Sequence, residues 1–271
     1  MPLITLTQNL GSGGIGIARR VAEQLNMELF DDDRLQAEAR EMGIRTDDLK
    51  SLDESAPGLF DRLIGRKPEM YLDLMEAVVY KVARNGEGVI IGHGGQMLLR
   101  DFGCALHVRV HSSEKQRTNN LMEKNNLSRK AARKLIRKSD NERNGFFKFA
   151  FHMDLNDPSL YDLIINTGKI SRETAARFIV DLASAEEIST CSLTALEAME
   201  KLSLLKKVEA ELLKHDVNTA MLQFEVSENG LLDIHGITTA PSEKDRILKV
   251  IQGIPEIKDF NAEIAIVQDG Y

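Results

Sequence analysis

The sequence predicts an α/β protein in which a parallel sheet flanked by helices is followed by a smaller αββαβ domain. Short apolar runs alternate with helix-like patterns in the first part of the chain, as is typical of parallel strands joined by crossover helices. The pattern changes after residue 183, where Asn229-Gly230 predicts a two-residue hairpin turn. A chain of 271 residues also has the length of about two domains.

In the first domain, the strands are predicted from short apolar runs and the helices from apolar residues at helical spacing. The predicted strands are Leu3–Thr7, Met27–Phe30, Gly88–Gly92, Ala105–Val110 and Leu163–Asn166. The predicted helices are Ile17–Leu25, one that starts near Thr46, Tyr71–Ala83, Ser128–Lys138 with Ser128 as N-cap, and Arg172–Leu182.

The small, polar segment Ser184–Thr194 is predicted to be a linker. It divides the chain into a first domain at 1–183 and a second at 195–271. The elements predicted for the second domain are helix Leu202–Leu213, strands Met221–Val226 and Leu231–Ile234, helix Pro241–Ile251 and strand Asn261–Val267.

Composition and charge are those of an ordinary globular protein. Hydrophobic residues make up 42% and charged residues 28%, so we expect a packed core rather than disorder. The net charge of −7 argues against DNA or RNA as a partner, so phosphate binding requires a local basic patch. Cys104 and Cys191 are far apart in sequence, and we expect neither a disulfide framework nor a cysteine-based zinc site. With no export signal or long apolar run, a reducing, cytoplasmic location is expected.

The main functional motif is Gly11-Ser12-Gly13-Gly14-Ile15-Gly16, which follows a strand and opens a helix. Such a loop directs backbone N–H groups and the positive helix end at an anion, which favours phosphate binding over a simple tight turn. The spacing matches the G-x-G-x-x-G pattern of dinucleotide-binding folds, with Asp31 at the end of the next strand. In the alternative P-loop pattern, Gly14 would replace the lysine and Ile15 the hydroxyl residue. The loop alone leaves both interpretations open.

A longer set of segments extends this comparison. In chain order they read ITLTQNLGSGGIGIARRVAEQL, LFDDD, VIIGHGGQMLLRD, DNERNGFFKF and YDLIINTGK. Together they closely resemble the cytidylate kinase-like family, a branch of the P-loop nucleoside-monophosphate kinases. The resemblance covers about residues 2–181. It implies a P-loop kinase fold, ATP as the cofactor and, in an active enzyme, Mg²⁺.

The resemblance also assigns residues. The donor phosphates would be bound by Gly11, Ser12, Gly13, Gly14, Ile15 and Gly16. Arg117, on the helix after a strand, and Arg143, in a mobile lid, would bind phosphate oxygens as catalytic arginines. His93 stands at a substrate-binding position where the family usually has an arginine. Asp31 matches an acidic residue that would orient magnesium-bound water or the acceptor.

Three departures from the family pattern leave alternatives open. The phosphate-loop lysine and the hydroxyl residue are missing, and His93 is not a permanent cation. Arg19, Arg20 or the lid could supply the lost charge. The chain is then either a kinase that transfers a phosphoryl group from ATP to a nucleoside monophosphate such as CMP, or a catalytically degenerate nucleotide sensor. A dinucleotide-binding protein is the third alternative. As a lid residue, Arg143 is expected to be exposed in the empty protein and to move toward the loop when nucleotide binds.

The second domain resembles a BON domain in the segments LKKVEAELL, FEVSENGLLDIHG and PSEKDRILKVIQGIPEIKDFNAEIAIV. This resemblance implies a protein or phospholipid partner, and a regulatory or assembly role. A homo-oligomer is compatible with it. The scattered histidines show no metal-ligand spacing, so no protein-held metal site is predicted.

Overall fold

The computed structural model describes residues 2–44, 68–188, 190–227 and 231–267. Its larger sheet has five strands in the order β2-β3-β1-β4-β5, and every neighbouring pair is parallel. The strands are β1 (Leu3–Gln8), β2 (Leu29–Phe30), β3 (Gly88–Ile91), β4 (Ala105–His111) and β5 (Leu163–Asn166). The predicted parallel sheet is confirmed, with β1 at its centre.

The helices of this first part cover both faces of the sheet. They are α1 (Gly14–Leu25), α2 (Asp32–Glu41), α3 (Pro68–Ala83), α4 (Gly95–Leu98), α5 (Glu114–Asn125), α6 (Arg129–Phe151) and α7 (Arg172–Ala183). The helix expected near Thr46 lies outside the described residues. One hydrophobic core joins β1 to α1 and α7, and a second lies on the face covered by α3. Both faces are therefore buried, as a parallel sheet requires.

The two faces of β1 differ in polarity. Ile4 and Leu6 are fully buried in the core shared with α1 and α7. On the other face, the hydroxyl of Thr5 lies 2.8 Å from Nδ1 of His107, and that of Thr7 donates to Gln96 at 3.0 Å. Because these polar groups have partners, they are buried at little cost.

Helix α6 is longer than predicted. The predicted N-cap is confirmed, since the Ser128 hydroxyl accepts a hydrogen bond from the backbone N–H of Ala131 at 3.3 Å. The helix then continues for 23 residues to Phe151. Phe146 and Phe147 on its last turns are buried, and their packing favours helix through the stretch that was expected to form a lid.

The second part has the predicted αββαβ order. Its elements are α8 (Leu193–Lys214), β6 (Leu222–Val226), β7 (Leu231–Thr238), α9 (Pro241–Gln252) and β8 (Asp259–Ile266). Strand β7 pairs antiparallel with β6 and parallel with β8. These elements enclose a hydrophobic core of their own. The turn Asn229-Gly230 lies outside the described residues.

Helix α8 connects the two parts. It begins at Leu193, so the last two residues of the predicted linker are helical. Ser203 of α8 donates from its hydroxyl to the carbonyl oxygen of Ala77 in α3 at 2.8 Å, and this bond is buried. The two parts are thus in direct contact through α3 and α8.

The expectation against disulfide bonding is wrong. Cys104, just before β4, and Cys191, just before α8, form a disulfide with their Cα atoms 4.9 Å apart. Their sequence separation of 87 residues carried no information about their distance in the fold. Cysteine usage therefore no longer supports a reducing compartment. In the described ranges, no helix is both long enough and apolar enough to cross a lipid bilayer.

Candidate nucleotide-binding site

The glycine-rich loop joins β1 to α1, which confirms the predicted strand–loop–helix turn. Gly11 and Gly13 have φ angles of +85° and +88°, in the left-handed region that favours glycine. A Cβ atom at Gly11 would lie 2.9 Å from the carbonyl oxygen of Arg117. Gly13 is the N-cap of α1 and supplies no side-chain cap. The positive end of α1 therefore opens onto the loop, which is an arrangement that attracts anions.

Gln8 accounts for one departure from the P-loop pattern. Its Oε1 accepts a hydrogen bond from the backbone N–H of Ile15 at 3.1 Å. A Cβ atom at Gly14 would lie 2.7 Å from both Cβ and Oε1 of Gln8. The position that holds the lysine in a P-loop therefore has no room for a side chain while Gln8 stays in place.

The residues present do not form a site for a protein-bound magnesium ion. Ile15 stands where the P-loop hydroxyl residue would bind the ion, and its side chain offers no oxygen. In the described ranges, no group of three or more His, Cys, Asp and Glu residues could hold a metal. The chain therefore lacks the side-chain oxygen by which a P-loop holds this ion.

Asp31 has a local role in the fold. Its carboxylate accepts a hydrogen bond from the backbone N–H of Arg34 at 3.2 Å and caps α2. Strand β2, which Asp31 follows, is separated from β1 by β3. In a dinucleotide-binding fold the second strand neighbours the first. The strand order therefore differs from that of a dinucleotide-binding fold, in which such an acidic residue binds the ribose.

Ser12 carries an unsatisfied buried group within the loop. The residue is 2% exposed, and its hydroxyl has no hydrogen-bond partner among the described residues. Its carbonyl oxygen is held by the Thr167 hydroxyl at 2.8 Å. A buried hydroxyl without a partner costs about 1–3 kcal/mol. A phosphate oxygen at the loop would provide the acceptor that this hydroxyl lacks.

Arg117 reaches the loop but is paired with a carboxylate. Its two terminal nitrogens bond to the two oxygens of Asp140 at 2.9 and 2.7 Å, in a bidentate pair. One of these nitrogens also lies 3.5 Å from the carbonyl oxygen of Leu10. The Arg117 side chain is buried, and its Nε has no partner among the described residues. To bind phosphate with its terminal nitrogens, Arg117 would have to release Asp140.

Arg143 already contacts the segment that leads into the loop. Its Nη1 donates to the carbonyl oxygen of Gln8, and the residue is half-buried. The expectation of an exposed Arg143 is therefore wrong. The cause is the continuous helix α6, which holds this side chain beside the end of β1.

Three arginines line a cavity of about 390 Å³ beside the loop. They are Arg109, Arg117 and Arg143, and the cavity wall also includes Asp140. Ser112, another wall residue, is buried and its hydroxyl lacks a hydrogen-bond partner among the described residues. With more cations than carboxylates and an unsatisfied hydroxyl, this arginine cavity suits an anionic ligand.

His111 also lines the arginine cavity. Burial lowers the pKa of its imidazole below the usual value, and the nearby guanidinium groups of Arg109 and Arg117 lower it further. The shift favours the neutral imidazole. The positive charge of this cavity is therefore that of its arginines.

His93 lies on the opposite side of β1, at the turn after β3. It is 2% exposed, and its Nε2 lies 2.8 Å from Oδ1 of Asp32. The neighbouring turn is covered by Phe151, since a Cβ atom at Gly94 would lie 2.4 Å from a carbon of this ring. The gaps next to His93 and Gly94 have volumes of only about 10 Å³ each. The structure therefore separates His93 from the arginine cavity and packs its surroundings with side chains.

Two further arginines, Arg109 and Arg172, lie near this site although no sequence motif marks either of them. Arg109, on β4, lines the arginine cavity and donates to the carbonyl oxygen of Leu155. Arg172 lies against the loop glycines. Arg109 lies near the carboxyl end of β4, and Arg172 begins the helix that follows β5. Parallel sheets bind ligands at this edge, so both positions could have drawn attention. Arg20, considered as a replacement cation, forms an ion pair with Glu173 at 2.7 Å.

The five-stranded parallel sheet, its strand order and the glycine-rich loop after its central strand define an α/β protein of the P-loop kinase type. The match to a family model is more specific. The model of the cytidylate kinase-like family matches residues 3–169, and the chain belongs to this family.

Two curated relatives are named cytidylate kinase. The protein from Pyrobaculum islandicum is 24% identical over 183 residues, which cover 67% of this chain and 92% of the relative. The protein from Methanothrix thermoacetophila is 28% identical over 169 residues, which cover 62% of this chain and 89% of the relative. Among solved structures, an uncharacterized protein from Eubacterium ventriosum is similar, with a TM-score of 0.53 and 20% identity; the match covers 69% of this chain and 100% of the other. That structural likeness supports the fold alone.

Proposed function

We propose that this protein binds the phosphates of a nucleoside triphosphate such as ATP at loop 11–16, as a nucleotide sensor that does not transfer the phosphoryl group. The single observation that carries the binding proposal is the N-terminus of α1, whose N-cap Gly13 has no side chain, beside the unpartnered, buried hydroxyl of Ser12. Backbone amides and a helix dipole suit phosphate oxygens. Ser12 would donate its hydroxyl hydrogen to one of them.

The case against transfer rests on the catalytic parts of the site. The lysine position is Gly14, where Gln8 leaves no room for a side chain. Arg117 is neutralised by its bidentate pair with Asp140. One transition-state arginine is worth about 10³–10⁵ in rate, so a site that lacks the lysine and keeps Arg117 on Asp140 would be severely impaired.

The region at His93, where the acceptor phosphate would bind, also argues against phosphoryl transfer. In the family this side binds the monophosphate, but here His93 is buried against Asp32 and Phe151 covers the turn at Gly94. A nucleoside monophosphate needs a pocket of several hundred Å³. Among the described residues, the gap at Gly94 measures about 10 Å³ and is lined by Phe146 and Phe147, so it would admit a monophosphate only after α6 moved away.

A second candidate is phosphoryl transfer from ATP to a nucleoside monophosphate such as CMP. The arginine cavity supports it, because Arg143 and Arg117 line one polar space next to the end of β1. The names of the two curated relatives point the same way. In this reaction the two guanidinium groups would neutralise the charge that develops on the transferred phosphoryl group. Arg117 would have to exchange Asp140 for phosphate.

Calorimetry combined with a turnover assay separates these proposals. The full-length protein is titrated with ATP, CMP and NAD, and ADP production is measured with magnesium, ATP and each nucleoside monophosphate. The sensor proposal expects ATP binding and no ADP above a protein-free control. ADP that depends on a monophosphate would establish the transferase instead. Binding of NAD but not ATP would contradict both and favour a dinucleotide-binding protein.

The C-terminal αββαβ unit is proposed to be a BON-like module that responds to nucleotide binding through α3 and α8. The buried bond from Ser203 to Ala77 and the disulfide from Cys191 to Cys104 support this coupling, because both link the two parts directly. Its partner would be a protein or a phospholipid surface. Co-sedimentation with anionic phospholipid vesicles, with and without ATP, tests it. Equal sedimentation with and without ATP would contradict the proposed coupling to nucleotide binding.

A further inference from the structure

Arg172 is the first residue of α7, and its side chain lies directly on the glycine-rich loop. A Cβ atom at Gly13 would come 3.1 Å from Nε of Arg172, and one at Gly16 would come 3.6 Å from its Cδ. These two glycines have no side chains, so the Arg172 side chain covers the loop backbone at the start of α1. Arg172 thus lies against the same part of the loop whose backbone amides would bind phosphate.

The electrostatic position of Arg172 is unfavourable without an anion. It lies at the N-terminus of its own helix, α7, and also at that of α1, and both helix ends carry partial positive charge. Glu173, its neighbour, is paired with Arg20 at 2.7 Å. Within the described ranges, no carboxylate pairs with Arg172. A cation held at two positive helix ends is stabilised when an anion binds between them.

The position of Arg172 is close to the one from which the missing P-loop lysine would act. The P-loop lysine binds the terminal phosphates as a point charge reaching from the first turn of the helix. Here that turn carries Gly14, and Gln8 excludes a longer side chain. The Arg172 guanidinium approaches the same turn from α7. A planar guanidinium can bind two phosphate oxygens at once.

We propose that Arg172 is the phosphate-binding cation of this site and replaces the absent P-loop lysine for a di- or triphosphate ligand. This inference rests on the proposed nucleotide binding at loop 11–16 and adds the residue that supplies its charge. Ser12 provides the second, independent sign of a ligand, since its buried hydroxyl lacks a partner in the same loop. Arg172 binds the ligand and positions it; no catalytic step is assigned to it.

The test compares three variants by calorimetry with two ligands, ATP and inorganic tripolyphosphate. Arg172→Ala removes the cation, and Arg172→Lys keeps the positive charge but lacks the planar guanidinium that can bind two oxygens. Arg177→Ala is the matched control, because Arg177 is an exposed arginine on the same helix. Arg172→Ala is expected to weaken both ligands by about tenfold to a hundredfold, the size of a charge-assisted hydrogen bond. Arg172→Lys should recover part of this loss, and Arg177→Ala should bind like the wild type.

The other outcomes separate the role of Arg172 from the proposed nucleotide binding. If the wild type binds ATP and Arg172→Ala binds it equally well, the role of Arg172 is refuted and the proposed function stands. If only ATP and not tripolyphosphate is weakened, Arg172 contacts the nucleoside rather than the phosphates, which also refutes the inference. If the wild type binds neither ligand, the proposed function fails and this inference fails with it. A thermal melt of each variant shows whether it is folded.

Discussion

The imidazole of His93 lies 2.8 Å from the carboxylate of Asp32 at the turn after β3, and His93 is buried whereas Asp32 is half-buried. This pair occupies the place where the family usually has an arginine for the acceptor phosphate. His93 is therefore a packing residue in this structure, held by α2 on one side and by apolar side chains on the other.

Replacement of His93 tests this interpretation. His93→Ala would remove buried atoms and leave Asp32 without this partner, so we expect a stability loss of about 1–3 kcal/mol. At about 2–4 °C per kcal/mol, the loss is visible in a thermal melt. ATP affinity should stay unchanged. His215→Ala, at an exposed histidine, is the control. An unchanged melting temperature with loss of CMP binding would instead assign His93 to an acceptor site.

A pair of glycine substitutions separates backbone strain from ligand binding. Gly13 and Gly43 have φ of +88° and +78°, so alanine at either position costs about 1–2 kcal/mol. At Gly43 the added Cβ meets no described atom within 4 Å, whereas at Gly13 it meets Arg172. We expect both variants to melt at similar lowered temperatures, but only Gly13→Ala to lose about tenfold or more in ATP affinity. Equal affinities in the two variants would argue against phosphate binding at this loop.

Arg143 provides a third prediction, because its contact with the Gln8 carbonyl exists without nucleotide. Arg143→Ala should lower the unfolding free energy by about 1 kcal/mol and also weaken ATP binding. Arg133→Ala, at an exposed arginine of the same helix, should do neither. Differential scanning fluorimetry and calorimetry measure the two effects. A variant with wild-type stability and lost binding would restore the mobile-lid interpretation.

The sequence predicted the elements well where a local signal existed. Strand β5 has its predicted bounds, and Ser128 caps α6 as expected, because an apolar run and an N-cap are signals within a few neighbouring residues. The length of α6 was missed because it depends on the burial of Phe146 and Phe147 against the rest of the fold.

The candidate site was predictable only in part. Its loop is a local motif, and the structure places Arg117 and Arg143 beside it. Contacts between distant segments could not be read from spacing. The Cys104–Cys191 bond and the approach of Arg172 to Gly13 arise only when the crossover connections bring strand ends together.

The disulfide leads to a fourth prediction. Cys104 and Cys191 join residues 87 apart in sequence, and a bridge closing a loop of that length typically stabilises by about 2–4 kcal/mol. The paired variant Cys104→Ser with Cys191→Ser, or addition of reductant, should therefore lower the melting temperature. The paired variant should show no further change with reductant. Two free thiols by mass spectrometry of the non-reduced, alkylated protein would contradict the bond.

The contact between the two parts of the chain contains a partly buried charge cluster, in which Asp73 and Glu76 are buried and Lys206 is half-buried. Lys206 on α8 lies 3.0 Å from Asp73 and 3.2 Å from Glu76, both on α3, and 2.9 Å from Glu209. Burial raises the pKa of Asp73 to about 7, although Lys206 opposes this, and burial also raises the pKa of Glu76. Three carboxylates around one ammonium group leave this cluster with excess negative charge at high pH.

The cluster predicts a stability that falls as pH rises. Between about pH 4 and pH 7 the folded protein holds a proton on Asp73 that the unfolded chain has released, so the unfolding free energy decreases with pH across this window. Asp73→Asn removes the ionisation but keeps an oxygen for Lys206. Its melting temperature relative to the wild type should therefore be higher at pH 8.5 than at pH 5. Asp101→Asn, at a side chain that is 96% exposed, should show no such difference. If the advantage of Asp73→Asn is the same at both pH values, Asp73 is already ionised at pH 5 and its pKa is not raised.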